Sequence, residues 1–397
     1  MWMHLSACSL QMQLASNHSK PLEISKIASV DFNALKLQNL QSYDIYAQGS
    51  SLHALFAATR GDSKQPYVGY LHSEDNGLNW SAPVEIPLAA NATLESALGN
   101  DVQIAAAGKS LLAIVQQTGE LPGMGYLAAI HSEDGGQTWI SGANPTGSEI
   151  DQSHPELVAD SQGRFHLVWL DDRDENGYQG VRYARSADAG THWELSQTVD
   201  DSSCSCCWNR LWFGEDGSVN LLYRDMEPRD MALAQSIDDG QTWQRSATVG
   251  EFNWVFDGCP HNGGALVGAG DKNLHALVWT GAENKAGLYY LNSADNGKHW
   301  SAPQAMGGGT LAFHSDIAVL DENHVLAIWD AMGAEGSVVM ISESFDNGSH
   351  WSASRQLSAK GSSASFPRIV AIDSRVLAMW AEQKPGDFKQ WMTAILE

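Results

Sequence analysis

One eight-residue pattern, Ser-x-Asp-x-Gly-x-x-Trp, occurs six times along this chain. It reads SEDNGLNW at Ser73–Trp80, SEDGGQTW at Ser132–Trp139 and SADAGTHW at Ser186–Trp193, then SIDDGQTW at Ser236–Trp243, SADNGKHW at Ser293–Trp300 and SFDNGSHW at Ser344–Trp351. The closing tryptophans stand 59, 54, 50, 57 and 51 residues apart. Self-similarity at such a period marks a repeat architecture, in which each unit buries its apolar face only against its neighbours. Inside the octamer, glycine supplies the positive-φ position of a tight hairpin, and the Ser and Asp side chains answer exposed turn amides. The tryptophan is expected to fill an apolar slot and anchor the turn to its own sheet.

The octamer resembles the Asp-box, or BNR repeat, of the sialidase superfamily, whose members are β-propellers. The resemblance implies an all-β chain of four-stranded blades around a central channel. A second landmark in each repeat agrees with it: two short alternating runs joined by a polar turn, as in Glu156–Asp172, Asn209–Asp225 and Ser315–Asp330. Counting these pairs gives seven units, with first strands near residues 43, 101, 154, 208, 262, 314 and 366. The seventh ends at Gln390–Glu397 without an octamer, one strand short. Pro21–Ala28 has the look of the strand that elsewhere follows the box, so an N-terminal strand is expected to complete the last blade and close the ring. Seven blades are favoured, with the six familiar in sialidases as the alternative. Residues 21–397 then form one propeller and 1–20 a separate N-terminal segment.

Composition narrows the partners. Acids outnumber bases 47 to 23, for a formal charge of −24, which argues against nucleic acid or an anionic membrane as a ligand. With 43% hydrophobic residues the chain buries a sizeable core, and no apolar run reaches the roughly 18 residues of a spanning helix. Leu5-Ser6-Ala7-Cys8 resembles a bacterial lipobox, which implies a lipid anchor at Cys8 and a periplasmic or outer-membrane location. The alternative is an ordinary N-terminal tail carrying a chance cysteine. A monomer is expected.

In a propeller the first strand of each blade lines the channel. The residues leading into it share one face with the loops between second and third strands, and the octamers lie on the other. Chemistry is therefore sought in those lead-ins and loops. Unit three leads in with Ser153-His154-Pro155, unit four with Cys204-Ser205-Cys206-Cys207-Trp208, unit five with Cys259-Pro260-His261 and unit six with Phe313-His314-Ser315. Apart from Cys8, every cysteine belongs to this set. Thiolates and imidazoles converging from neighbouring blades suit a soft or borderline metal, copper first and zinc second. The candidate ligands are His154, Cys204, Cys206, Cys207, Cys259, His261 and His314, for metal handling or redox chemistry. Disulfides joining Cys204, Cys206 or Cys207 to Cys259 are the alternative in an oxidising compartment. On an extended strand, adjacent Cys206 and Cys207 point opposite ways. His166, His275 and His324 read as interior packing residues, whereas His72, His131, His192, His299 and His350 flank octamers and read as surface.

The second-to-third-strand loops offer a different chemistry. Asp171, Asp172, Arg173, Asp174 and Glu175 in unit three, and Arg224 and Asp225 in unit four, supply carboxylates for acid/base work on a glycoside and arginines to hold an anion. As catalytic residues Asp172, Arg173, Arg224 and Asp225 define the glycan-active alternative, a sialidase-type hydrolase or a glycan binder. A third reading is an interaction scaffold without chemistry. The resemblance does not carry over a sialidase arginine triad. Where an Arg-Ile-Pro motif is expected the chain has Tyr43-Asp44-Ile45-Tyr46, and Phe366-Pro367-Arg368-Ile369 is an echo in the wrong unit and order.

Overall fold

The computed structural model describes residues 20–397 except 62, 90–91, 120–124, 149–150, 172–178, 215, 271 and 309–310. Its regular elements are all strands, grouped in seven four-stranded antiparallel sheets. The innermost strands, in chain order, are Leu37–Gln48, Gln103–Ala107, Gln152–Ala159, Arg210–Phe213, Gly264–Ala269, Ala312–Val319 and Ser363–Ile372. Each touches the next, and the last touches the first, so the sheets close into a seven-bladed ring. Blade 7 takes its outer strand from the N-terminus: Ile24–Ser29 pairs with Gln390–Leu396, from Ile24 opposite Leu396 to Ser29 opposite Met392.

The core lies between the blades. Seven buried apolar clusters each join residues of two adjacent sheets. The second-strand tryptophans Trp169, Trp329 and Trp380 are among the most deeply buried side chains. Two of them also engage acids near the ends of their own strands: Trp169 donates its indole N–H to Asp171 at 3.1 Å, and Trp380 donates to Glu382 at 2.8 Å.

All six octamers form the same turn. In the first, the Ser73 hydroxyl donates to Asp75 and accepts from Gly77 N–H, both at 2.9 Å, while Asp75 accepts from Asn79 N–H at 2.8 Å. The box tryptophan, however, reaches beyond its own sheet. Trp139 of blade 2 meets Tyr70 of blade 1, Trp243 of blade 4 meets Tyr183 of blade 3, and Trp351 of blade 6 meets Tyr290 of blade 5, each edge-on at ring separations of 4.8–5.2 Å. The box glycine makes room for that tyrosine, since a Cβ on Gly240 would collide with the Tyr183 hydroxyl. Each tyrosine hydroxyl is held in turn by a buried second-strand histidine, at 2.8 Å from His53, 2.7 Å from His166 and 2.6 Å from His275. The boxes are thus locks between blades. Among the flanking histidines, His131 is buried and not at the surface, while His192, His299 and His350 sit outside and bond their box aspartates.

A candidate metal centre at the channel mouth

Antiparallel alternation places the ends of the innermost strands where the sequence pattern requires. Lead-ins and second-to-third-strand loops share one face, and the octamers, which follow third strands, occupy the other. In blades 3, 6 and 7 the innermost strand is bulged just past its start, between Ser153 and Glu156, Ala312 and Ser315, and Ser365 and Arg368. A bulge leaves a residue outside the ladder and re-aims its side chain. His154, His314 and Phe366 occupy these positions, His154 and Phe366 with φ of 51° and 53°.

In blade 4 the innermost strand begins only at Arg210, so Cys204–Asn209 is not extended as the sequence suggests. A turn at Ser205–Cys206 folds the segment back and lets all three thiols face inward. Cys204, Cys206 and Cys207 make their own buried cluster, with Cys204 Sγ 3.7 Å from Cys206 Sγ and 3.5 Å from Cys207 Sγ. The blade 5 lead-in brings Cys259 and His261 alongside. Potential ligand atoms of Cys206, Cys259 and His261 lie within 4.8 Å of one another, as do those of Cys204, Cys206 and Cys207. The four described cysteines are free thiols. Cys204, Cys206 and Cys207 are buried, whereas Cys259 and His261 are exposed.

Two arginines build the wall behind the thiols. Arg224, 2% exposed, donates Nε to the Asn262 carbonyl at 2.9 Å, Nη1 to Arg229 at 2.6 Å and Nη2 to Trp279 at 2.8 Å. It is therefore committed to main chain and does not project from the rim to take a substrate anion. Arg229 donates Nη1 to Cys204 Sγ at 3.0 Å and Nε to the Phe256 carbonyl at 2.8 Å. Asp230 accepts from the N–H groups of Asn253 and Trp254 at 2.7 and 3.2 Å, fastening the same lead-in. Hydrogen bonds from Cys206 and Cys207, aided by the Arg224 charge, hold the Cys204 thiol far below its usual range. The hydrogen bond to Cys204 pushes the Cys206 thiol up, and burial pushes Cys207 up to about 12. Cys204 is thus the member of the trio on which a thiolate is favoured, with two thiols and two cations beside it.

The remaining candidates divide. His154 stands at the same mouth. Burial lowers its imidazole to about 4 despite the opposing field of Cys204, with His261 lowering it further. Its N–H donates to Asn100 at 2.7 Å and its carbonyl accepts from Asn209 at 3.0 Å, but it belongs to neither ligand group. His314 is held elsewhere: Asp330 bonds its Nδ1 at 2.7 Å, and Phe366 stacks on it at 3.7 Å with Trp208 at 5.7 Å. That aromatic group walls the mouth and is not gathered with the thiols. Asp225 accepts from Met226 N–H at 2.7 Å and pairs with Arg245. Asp172, Arg173, Asp174 and Glu175 lie outside the described residues, as does Cys8.

Below the mouth the channel holds a ring that sequence reasoning missed. Asp44, Gln103, Glu156, Arg210, Asp316 and Arg368 occupy one register in six innermost strands, with Gly264 at the seventh. Asp44 accepts from Ile104 N–H at 2.9 Å, Gln103 from Leu157 at 3.2 Å and Asp316 from Ile369 at 3.0 Å, each group serving another blade. Arg210 pairs with Glu156 at 3.0 Å and lies 3.7 Å from Asp316 across the gap at Gly264. Burial raises the Glu156 and Asp316 carboxyls, and Arg210 opposes it. The only signal in the sequence is a lone polar residue before an aliphatic one, in six of the seven units.

Residues 45–253 match the model of the BNR repeat-like domain. None of the curated proteins matches the sequence. Among solved structures the chain is similar to an ulvan lyase, a polysaccharide lyase (11% identity, 90% of this chain and 93% of that one, TM-score 0.62). It is also similar to YCF48 bound to D1 peptide (14%, 96% and 96%, 0.54). A variant of the NanB sialidase from Streptococcus pneumoniae is a third (13%, 98% and 73%, 0.51). At these identities the likeness is one of fold.

Proposed function

The chain belongs to the BNR repeat-like family, and from that premise we propose that it binds a soft metal ion, copper as Cu(I), at the channel mouth through Cys204, Cys206, Cys207, Cys259 and His261. One observation carries the reading: five side chains from two separate lead-ins converge in overlapping ligand groups, each within 4.8 Å. Thiolates bonded to a metal at about 2.3 Å stand roughly 4 Å apart, close to the thiol spacings in the buried trio. Thiolate and imidazole donors select copper over hard cations, with zinc as the competing ion. The location supports handling of the ion, meaning its capture and delivery, because two of the five ligands are reachable from solvent. Export, suggested by Leu5–Cys8, belongs to the same proposal and is tested by cell fractionation.

The test is retention. Reduced protein is loaded anaerobically with Cu(I), desalted and assayed for copper by elemental analysis. At least one equivalent is expected to remain, and Cys204→Ser combined with Cys207→Ser is expected to remove most of it. Wild-type protein that emerges free of copper would overturn the proposal.

The glycan-active alternative takes its support from the lyase and sialidase likenesses and from Asp172 and Arg173. Arg224 and Asp225 do not add to it, since both are engaged within the scaffold. Turnover of a fluorogenic sialoside, or depolymerisation of an acidic polysaccharide, by copper-free protein would favour that reading.

A further inference from the structure

We propose that the mouth holds two Cu(I) ions bridged by the Cys206 thiolate, an outer ion that is exchanged and an inner ion that is kept. This rests on the metal reading above and deepens it. The two ligand groups do not merge into one, and Cys206 is their sole common member. The first, Cys204 with Cys206 and Cys207, offers three sulfurs and fills a three-coordinate ion by itself. The second, Cys206 with Cys259 and His261, offers two sulfurs and a nitrogen to another. Bridging is the one arrangement that uses all five donors.

Charge favours monovalent ions. On binding, the ligating thiols release their protons to solvent, leaving four thiolates. Two Cu(I) ions and the guanidinium groups of Arg224 and Arg229 balance them, with Arg229 in contact with Cys204 at 3.0 Å. A pair of divalent ions would leave this partly buried site doubly positive, a burial cost that the neutral Cu(I) pair avoids.

Burial separates the two positions. Cys204 and Cys207 are each 1% exposed, whereas Cys259 and His261 are open to solvent. A donor ligand therefore reaches the outer position first. Passage inward needs only exchange of Cu–S bonds at Cys206, with no ion released to water and no change of oxidation state. The partner implied is a Cu(I) carrier of thiolate or thioether chemistry able to approach an exposed cysteine.

The experiment is an anaerobic Cu(I) titration of reduced full-length protein against bicinchoninate as competitor, with Cu–Cu scattering read by X-ray absorption. Wild type is expected to bind two ions and show a Cu–Cu path. Cys259→Ser with His261→Ala, both on the exposed lead-in and away from the core, is expected to bind one ion without that path. Cys206→Ser is expected to lose the path as well. Wild type that saturates at one ion overturns the pair while leaving the metal proposal standing. Wild type that binds none overturns both. Tighter binding of Zn(II) than of Cu(I) overturns the argument from charge.

Discussion

Two polar regions lie along the axis of this propeller, and they are built on opposite rules. The ring inside the channel takes one residue from each of six blades at a common register, and most of its members are spent on a neighbouring blade: Asp44 on Ile104, Gln103 on Leu157, Glu156 on Arg210 and Asp316 on Ile369. The mouth above it draws its thiols from the lead-ins of blades 4 and 5 alone, and no other blade repeats them. Carboxylates that answer neighbouring main chain are seam, whatever their resemblance to an acid/base pair. The local cluster that departs from the repeat, held in place by two buried arginines, is the one to which the metal proposal assigns a task.

The sharpest way to break the comparison is to cut the ring. Arg210 faces Glu156 and Asp316 with its side chain only 11% exposed, so Arg210→Ala strands carboxylates whose charge is already disfavoured by burial. Removing one partner of a buried pair costs about 3–5 kcal/mol. Urea unfolding should show a loss of that order, with copper bound per folded chain unchanged. A loss below about 1 kcal/mol, the range of exposed pairs, would mean that the ring is a solvated lining and not a seam.

The scaffold should also respond to acid in a way the mouth does not dictate. Burial lowers the His275 imidazole to about 4, and its Nδ1 bonds the Tyr290 hydroxyl at 2.6 Å. An unfolded histidine titrates near 6.5. Between these values the folded state binds fewer protons than the unfolded state. The stability tied to a neutral His275 is therefore complete above about pH 6.5 and lost as pH falls toward 4. The loss reaches about 3 kcal/mol at ~1.4 kcal/mol per pH unit. His275→Gln cannot titrate, so the difference between its unfolding free energies at pH 7 and pH 4.5 should be smaller than that of wild type. An unchanged pH dependence would remove the blade lock from the account of acid stability.

Fold was legible because the octamer recurs with its hydrogen-bonding residues at fixed offsets and because a three-stranded last unit demanded a fourth strand. What the repeat conceals is direction. Nothing in SEDGGQTW says that Trp139 crosses to Tyr70 of the preceding blade, since period is a property of the chain and contact a property of the ring. At the site, grouping the cysteines and histidines by position before each first strand placed Cys206, Cys259 and His261 together. It gave His314 the same standing, although Asp330 and Phe366 hold that residue. It also treated Cys206 and Cys207 as strand residues on opposite faces, where a turn brings both thiols inward. Arg229 drew no notice because its contact with Cys204 spans 25 residues and two elements of one blade. Polar side chains that act singly, one in each of six blades, leave only a single-residue signal per unit, too little to read as a ring.

The smallest effect tests whether the mouth is built or merely crowded. Arg229 touches no proposed ion; it positions Cys204 through one hydrogen bond and the blade 5 lead-in through another. Outer-shell partners of metal ligands are typically worth 10–100-fold in affinity, about 1.4–2.8 kcal/mol. Arg229→Met keeps much of the side-chain volume and removes the charge, so Cu(I) affinity should fall within that range. The ultraviolet thiolate absorbance at neutral pH, read in a Cys259→Ser background, should fall in parallel as Cys204 loses its charged hydrogen-bond donor. Arg229→Lys restores the charge without the fork of donors, and it should recover the thiolate absorbance more fully than the copper affinity. A purely structural arginine would instead lower the unfolding midpoint and leave the thiolate absorbance of the folded protein where it was. That outcome would return the thiols to the status of the ring below them, groups placed by the fold and for the fold.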